Sequence, residues 1–120
     1  MARTNVPVVA ATRTGVSLLT AADSVPHTTD GAKFSNDGAV WLLIRNTGAG
    51  AHTVTVQTPQ MVEGLAVAEL SVGPMAAGDV WAVGPFPPAT FNQQSGTDLG
   101  YGYVDVVGGG VEVKLQAHRL

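Results

Sequence analysis

The stretch from Asn36 to Thr58, NDGAVWLLIRNTGAGAHTVTVQT, constrains the fold more than any other part of the chain. Val40, Leu42 and Ile44 alternate with Trp41 and Leu43, so an extended backbone here is apolar on both faces, and such a strand belongs in the interior of a sheet. Gly48 and Gly50 supply a loop that tolerates positive φ. Beyond it Val54 and Val56 alternate with Thr53, Thr55 and Gln57, the pattern of a strand with one buried and one wet face. Ala39 to Asn46 and His52 to Thr58 are therefore expected to pair as a β-hairpin.

The remaining segments repeat the theme of short strands between turn signals. Met1 to Ala22 reads as an extended N-terminal arm or as edge strands, because Val6, Val8 and Ala10 alternate around Pro7, which blocks one pairing position. Val16 to Thr20 fits a short strand or a helical turn. Asp23 to Gly38 has loop composition, with Phe34 pinning it to the core and Asn36-Asp37-Gly38 as the turn into the hairpin. Leu65 to Val72 is an apolar run without strict alternation, which a bulge or bend explains. Gly73, Pro74 and Gly78 mark the next turn, and Asp79 to Val83 is a short strand holding Trp81. Gly84-Pro85-Phe86-Pro87-Pro88 lacks the donors of a central strand, so it crosses between sheets or lies on the surface. A second hairpin is expected from Leu99 to Val107 and Val111 to Leu115, turning at Gly108 to Gly110, with Val111, Val113 and Leu115 facing inward.

About seven or eight such strands, with no sustained helical periodicity, predict an all-β domain, an antiparallel β-sandwich or jelly-roll-like barrel with an extended N-terminal arm. The expected division is an arm or edge-strand region over Met1 to Ala22 and a single β domain over Asp23 to Leu120. With 120 residues the chain buries enough surface to fold without a staple, roughly 65% of what the unfolded form exposes.

Only 12% of residues are charged while 45% are hydrophobic, against about 25% charged in ordinary soluble domains. Charge depletion is what the buried centre of an interface shows, which favours life inside an assembly over a neutral monomer with a Thr, Ser, Gln and Asn surface. A net charge of −3 argues against nucleic acid or an anionic membrane as partner. The absence of cysteine removes disulfides and Cys-based metal sites and suits a reducing cytoplasm. Neither a membrane segment nor a secretory leader is expected, because Thr4, Asn5, Pro7 and Arg13 interrupt any apolar block near the start.

Chemistry-bearing patterns are sparse. His27, His52 and His118 are not at ligand spacing, and with only Asp23 and Asp30 near His27 all three are expected to be solvated loop histidines, leaving no metal site and no cofactor. The carboxylates fall at turns or on polar strand faces, and no serine elbow or phosphate-cradling loop occurs, so no enzyme is expected. Trp41, Trp81, Tyr101 and Tyr103 could form a stacking platform for sugar rings, but the apolar neighbours of Trp41 and Trp81 favour a place in the core between sheets. Phe86 and Phe91 around Pro87 and Pro88 form a stiff apolar knuckle suited to docking on another subunit or to plugging the end of its own barrel.

Several blocks taken together resemble small head proteins of tailed bacteriophages, which act as capsid decoration, or cement, proteins. These are Asp30-Gly31-Ala32-Lys33-Phe34-Ser35-Asn36-Asp37-Gly38, the apolar strand ending Arg45-Asn46, the strand ending Gln57-Thr58-Pro59, Glu63 to Ala68, and Gly84-Pro85-Phe86-Pro87-Pro88 with Phe91-Asn92. The chain departs from the family at Ala39, where a charged residue often follows Asn-Asp-Gly. The resemblance implies a β-rich structural virion protein, made in the host cytoplasm and placed on the capsid exterior. There it would stabilise the shell by bridging subunits of the major capsid protein, with a trimer as the implied oligomer. Val6, Pro7, Val8 and Val9 of the arm and Phe86, Pro87, Pro88 and Phe91 of the knuckle are the candidate interface. A carbohydrate-binding virion appendage and a tail or neck component are the alternatives.

Overall fold

The computed structural model describes residues 3–18, 23–26, 30–107 and 112–119. In chain order the strands are β1 (Thr4–Val6), β2 (Val8–Ala10), β3 (Ala32–Ser35), β4 (Val40–Asn46), β5 (His52–Val56), β6 (Met61–Val62), β7 (Leu65–Ala66), β8 (Leu70–Met75) and β9 (Val80–Val83). A single helical turn, α1 (Pro88–Phe91), then precedes β10 (Tyr101–Val106) and β11 (Val113–Arg119). One sheet has the order β1-β3-β10-β5-β8 and the other β2-β11-β4-β9, while β6 and β7 form a ribbon of their own. The expected all-β sandwich is present, with Ala32, Phe34, Val54, Val56 and Val104 of the first sheet buried against Val40, Leu42, Ile44, Val113, Leu115 and Ala117 of the second.

β4 has a strand on each side, as a run apolar on both faces requires. The hairpin expected around it does not form. β5 lies in the opposite sheet, and the loop after β4 is an arch that carries the chain across the core. Asn46 builds that arch from its buried side chain: Nδ2 donates to the carbonyls of Gly50 (2.8 Å) and Met75 (3.0 Å), and Oδ1 accepts from the Gly48 N–H (3.0 Å). The second expected hairpin is also an arch, since β10 pairs with β3 and β5 while β11 pairs with β4 and β2. Its glycines and Val111 fall outside the described residues; Val113 and Leu115 face inward as expected.

At the described ends of the two arches the β4–β11 and β10–β5 ladders run one residue beyond the strands. The Thr47 N–H and hydroxyl both donate to the Glu112 carbonyl (2.9 and 2.6 Å), and the Val107 N–H donates to the Thr53 carbonyl (2.9 Å). The backbone groups that a hairpin would have satisfied locally find their partners in strands further along the chain.

Other differences have equally local causes. The segment expected to be loop from Asp23 to Gly38 contains β3, because Ala32 and Phe34 alternate with Lys33 and Ser35. The apolar run from Leu65 to Val72 divides between the β6–β7 ribbon and β8, and β8 continues through Gly73 and Pro74, where a turn was expected. Irregular register between His52 and Val54 accommodates that passage against β5. Residues 16–18 form no regular element, and the rest of that short segment lies outside the described residues.

At the N-terminus β1 pairs in parallel with β3 and β2 in parallel with β11, so Pro7 is the point where one extended segment passes from one sheet edge to the other. At the end of the sandwich Phe86 is fully buried, with its ring 5.3 Å from Phe34 in a tilted contact and 5.3 Å from Phe91 edge-on. The proline-rich knuckle thus plugs the chain's own core.

Candidate functional site

Burial sorts the expected contact residues into two groups. Val6 and Phe86 are core residues at 1% and 0% exposure, so neither is free for another protein, and Val8 and Phe91 pack partly against the same core. The reason is strand parity at Val6 and the inward turn of the proline segment at Phe86. Pro7 and Pro87 are exposed, and Val9 and Pro88 are half-buried. Pro7 lines a polar hollow of about 200 Å³ beside the Asp37–Arg119 ion pair. Pro88 lines a separate hollow of about 230 Å³ with Ala89 and Leu99. The two groups do not share one depression.

The four aromatic residues are not brought together. Trp41 is on the outer side of the four-stranded sheet, stacked on His118 with ring centroids 4.8 Å apart, and does not fill the space between sheets. Trp81 shares the inner side with Ile44 through its register but stands on the edge strand, 37% exposed. Tyr101 and Tyr103 belong to the other sheet, on the outer face of β10.

That outer face carries a connected set of charges. Arg3 pairs with Asp105 at 2.8 Å and sits 4.0 Å above the Tyr103 ring, while Gln57 donates to the other Asp105 oxygen at 2.5 Å. Lys33 pairs with Asp98 at 2.8 Å and lies 5.1 Å from the Tyr101 ring, and the Tyr103 hydroxyl donates to Asp98 at 2.5 Å. Hydrogen bonds from Lys33 and then Tyr103 hold the Asp98 carboxyl below the usual range, and the same bond to Asp98 raises the Tyr103 hydroxyl. Each tyrosine ring has a cation over it and each charge has a counter-charge. Such a surface is ordered and internally satisfied, which leaves the rings poorly placed to stack on a sugar.

His118 is a buried strand residue, not a solvated loop residue. Its Nε2–H donates to Gln116 Oε1 at 2.7 Å, since Gln116 Nε2 is committed to the Leu18 carbonyl (3.0 Å) and the Asp23 carboxylate (2.6 Å). Asp23 also pairs with Arg45, and Ser24 exchanges both backbone hydrogen bonds with Leu115, so the segment around Asp23 lies beside β11 in the plane of the sheet and is tied to β4 by the ion pair. Burial pushes the His118 imidazole below its ordinary value. His52, at the start of β5, contacts Glu112, just before β11, at 2.7 Å, and His27 lies outside the described residues. Among the described residues no group of three or more His, Asp or Glu side chains is placed to hold a metal ion.

The surface that sequence reasoning missed is the β6–β7 ribbon. Met61, Val62 and Leu65 are 59%, 60% and 73% exposed, on a two-stranded element outside both sheets. Glu63 and Gly64 turn it with φ of 52° and 79°, the two consecutive positive values of a tight hairpin. The signal was present as two apolar pairs flanking a residue and a glycine. The longer apolar run beginning at Leu65 hid it. No protein-family model, curated protein or solved structure matches the chain.

Proposed function

We propose that this chain is a structural virion protein that attaches to the outside of a tailed-phage capsid and stabilises it by bridging subunits of the major capsid protein. The observation that carries the reading is the exposed apolar β6–β7 ribbon on a domain whose charges are few and mostly paired with one another. Apolar side chains held out from a rigid sandwich are arranged for adhesion. Burying Met61, Val62 and Leu65 against a partner is worth roughly 3–5 kcal/mol before the cost of association, which is weak for a single contact. A domain tethered at more than one point of a repeating shell gains the remainder through effective concentration. The blocks resembling small phage head proteins point the same way.

The glycan-binding alternative loses its platform through the separation of Trp41 and Trp81 from the two tyrosines. The test is co-sedimentation of the purified protein with expanded, undecorated phage heads, together with the melting temperature of those heads. Binding and a raised shell melting temperature are expected, and both should be lost when Met61, Val62 and Leu65 are replaced by serine with the domain's own melting temperature kept. Absence of binding by the intact protein overturns the reading.

A further inference from the structure

The sheet edges differ in what guards them. β8 carries Pro74 within its length, β1 is bounded by the ion-paired Arg3 on one side and Pro7 on the other, and β2, though uncharged, is only three residues long with Pro7 immediately before it. β9 reads Val80-Trp81-Ala82-Val83, with no charge, no proline and a regular register against β4. Its first two side chains are 54% and 37% exposed. Unblocked apolar edges of this kind are what natural sheets ordinarily avoid unless another strand covers them.

Pairing with β4 decides which backbone groups of β9 remain free. The Asn46 N–H donates to the Asp79 carbonyl at 2.9 Å, and alternation from that pair makes Ile44–Trp81 and Leu42–Val83 the hydrogen-bonded positions. The N–H and C=O of Val80 and Ala82 therefore point away from β4. Among the described residues no further backbone bond reaches them.

We propose that β9 pairs antiparallel with β9 of a second copy of this chain, about a two-fold axis through Trp81. The free groups fix this register, because Val80 then exchanges both its bonds with the partner's Ala82, and Ala82 with the partner's Val80. Four hydrogen bonds form and the two sheets join. Trp81 meets its symmetry mate at the non-hydrogen-bonded position, where side chains approach most closely and aromatic cross-strand pairs are favourable. No like charges meet, since Asp79 falls opposite the partner's Val83. The surface gained is small, roughly 200–300 Å² per copy against the ~800 Å² typical of a stable interface. The contact is accordingly a weak dimer that fills as copies are concentrated. It requires no capsid and stands apart from the function proposed above. It also predicts a dimer, whereas the resemblance to phage head proteins implies a trimer.

Sedimentation of the full chain over a range from micromolar to millimolar tests the proposal, with a monomer–dimer equilibrium expected. Ala82→Pro removes an N–H that β4 does not use and should weaken dimerisation roughly ten- to a hundredfold, through two lost hydrogen bonds, with little change in melting temperature. Because the chain has no cysteine, Trp81→Cys introduces a single thiol whose partner lies about 4.5–5.5 Å away, close enough for a disulfide on mild oxidation. Val80→Cys places the two thiols about two residues out of register and should cross-link far more slowly. A chain that stays monomeric at millimolar concentration, a trimer, a dimer indifferent to Ala82→Pro, or equal cross-linking of the two cysteine variants overturns the proposal.

Discussion

Gly102→Ala should destabilise this protein even though glycine-to-alanine changes in extended backbone usually do the opposite. Gly102 sits on β10 directly opposite Phe34 of β3, and the Phe34 ring lies across the space where a side chain would be. A Cβ there would stand 2.7 Å from Phe34 Cζ and 2.8 Å from Cε1. The ring has no exposed surface and is backed by Phe86, itself backed by Phe91, so it has nowhere to retreat. An unhindered strand glycine gains about 0.4–1 kcal/mol on becoming alanine because the unfolded chain loses freedom. Overpacking a close-packed core by one methyl costs about 1–3 kcal/mol. The difference is a net loss of about 1–2 kcal/mol, which for a domain of this size lowers the melting temperature by roughly 3–8 °C.

Urea denaturation measures the change directly, with an unaltered m-value showing that the folded and unfolded states keep their exposure. Phe34→Leu removes the ring atoms responsible for the clash, so the double variant should be more stable than the sum of the two single losses by about 1 kcal/mol or more. Gly50→Ala is the control, since a Cβ there meets nothing within 4 Å; its stability should stay within about 0.5 kcal/mol of the parent or rise. A neutral or stabilising Gly102→Ala, or strict additivity with Phe34→Leu, would refute the steric account.

Asn46→Ala should cost about 2–3 kcal/mol by chemical denaturation, because the carbonyls of Gly50 and Met75 and the Gly48 N–H lose their common partner inside the first arch; an unchanged midpoint would show that the arch holds without it. Acidification should lower stability in two windows. Burial depresses the His118 imidazole, so its contribution is complete above about pH 6.5 and is lost as the unfolded chain takes up a proton that the folded one resists. The Asp98 contribution is complete above about pH 4 and disappears as the pH falls through its lowered value. Urea midpoints at pH 7.5 and 5.0 should differ for the parent and converge for His118→Gln; a midpoint that rises on acidification contradicts the sign. Deleting residues 1–11 should abolish cooperative folding, not merely attachment to shells, because β1, β2 and Val6 would leave both sheets and the core; a truncated protein with the parent's melting temperature would contradict that placement.

Local alternation made the layered β character legible, since each strand's own pattern states which of its faces is buried. Phe34 in the core, the alternation of Val54 and Val56, and the interior position of β4 all follow from residues within a few positions of one another. The arches did not follow, because a glycine-containing loop between two apolar runs is compatible with pairing the runs or with placing them in opposite sheets. The pairing of β4 with β11 and β9 and of β5 with β10 and β8 distinguishes the two, and Asn46, bonding to Gly50 and Met75 at once, holds the arch that results. The Met61–Leu65 ribbon was hidden for a related reason: apolar residues advertise burial, and exposure of three together is visible only when nothing in the fold covers them.

By itself the sequence determined that the chain makes short, turn-bounded strands with defined apolar faces and carries few charges, because these properties belong to the side chains and their order alone. The tertiary structure decided which strands are neighbours, that Val6 and Phe86 are spent on the core, that His118 is shut away beside Trp41, and that β9 is an edge strand whose Val80 and Ala82 backbone groups face away from β4. Those outcomes depend on contacts between distant segments, such as Val6 with Phe34 or, about a hundred residues apart, Arg3 with Asp105. Strand faces are a property of neighbouring residues; strand partners are settled by competition across the whole chain.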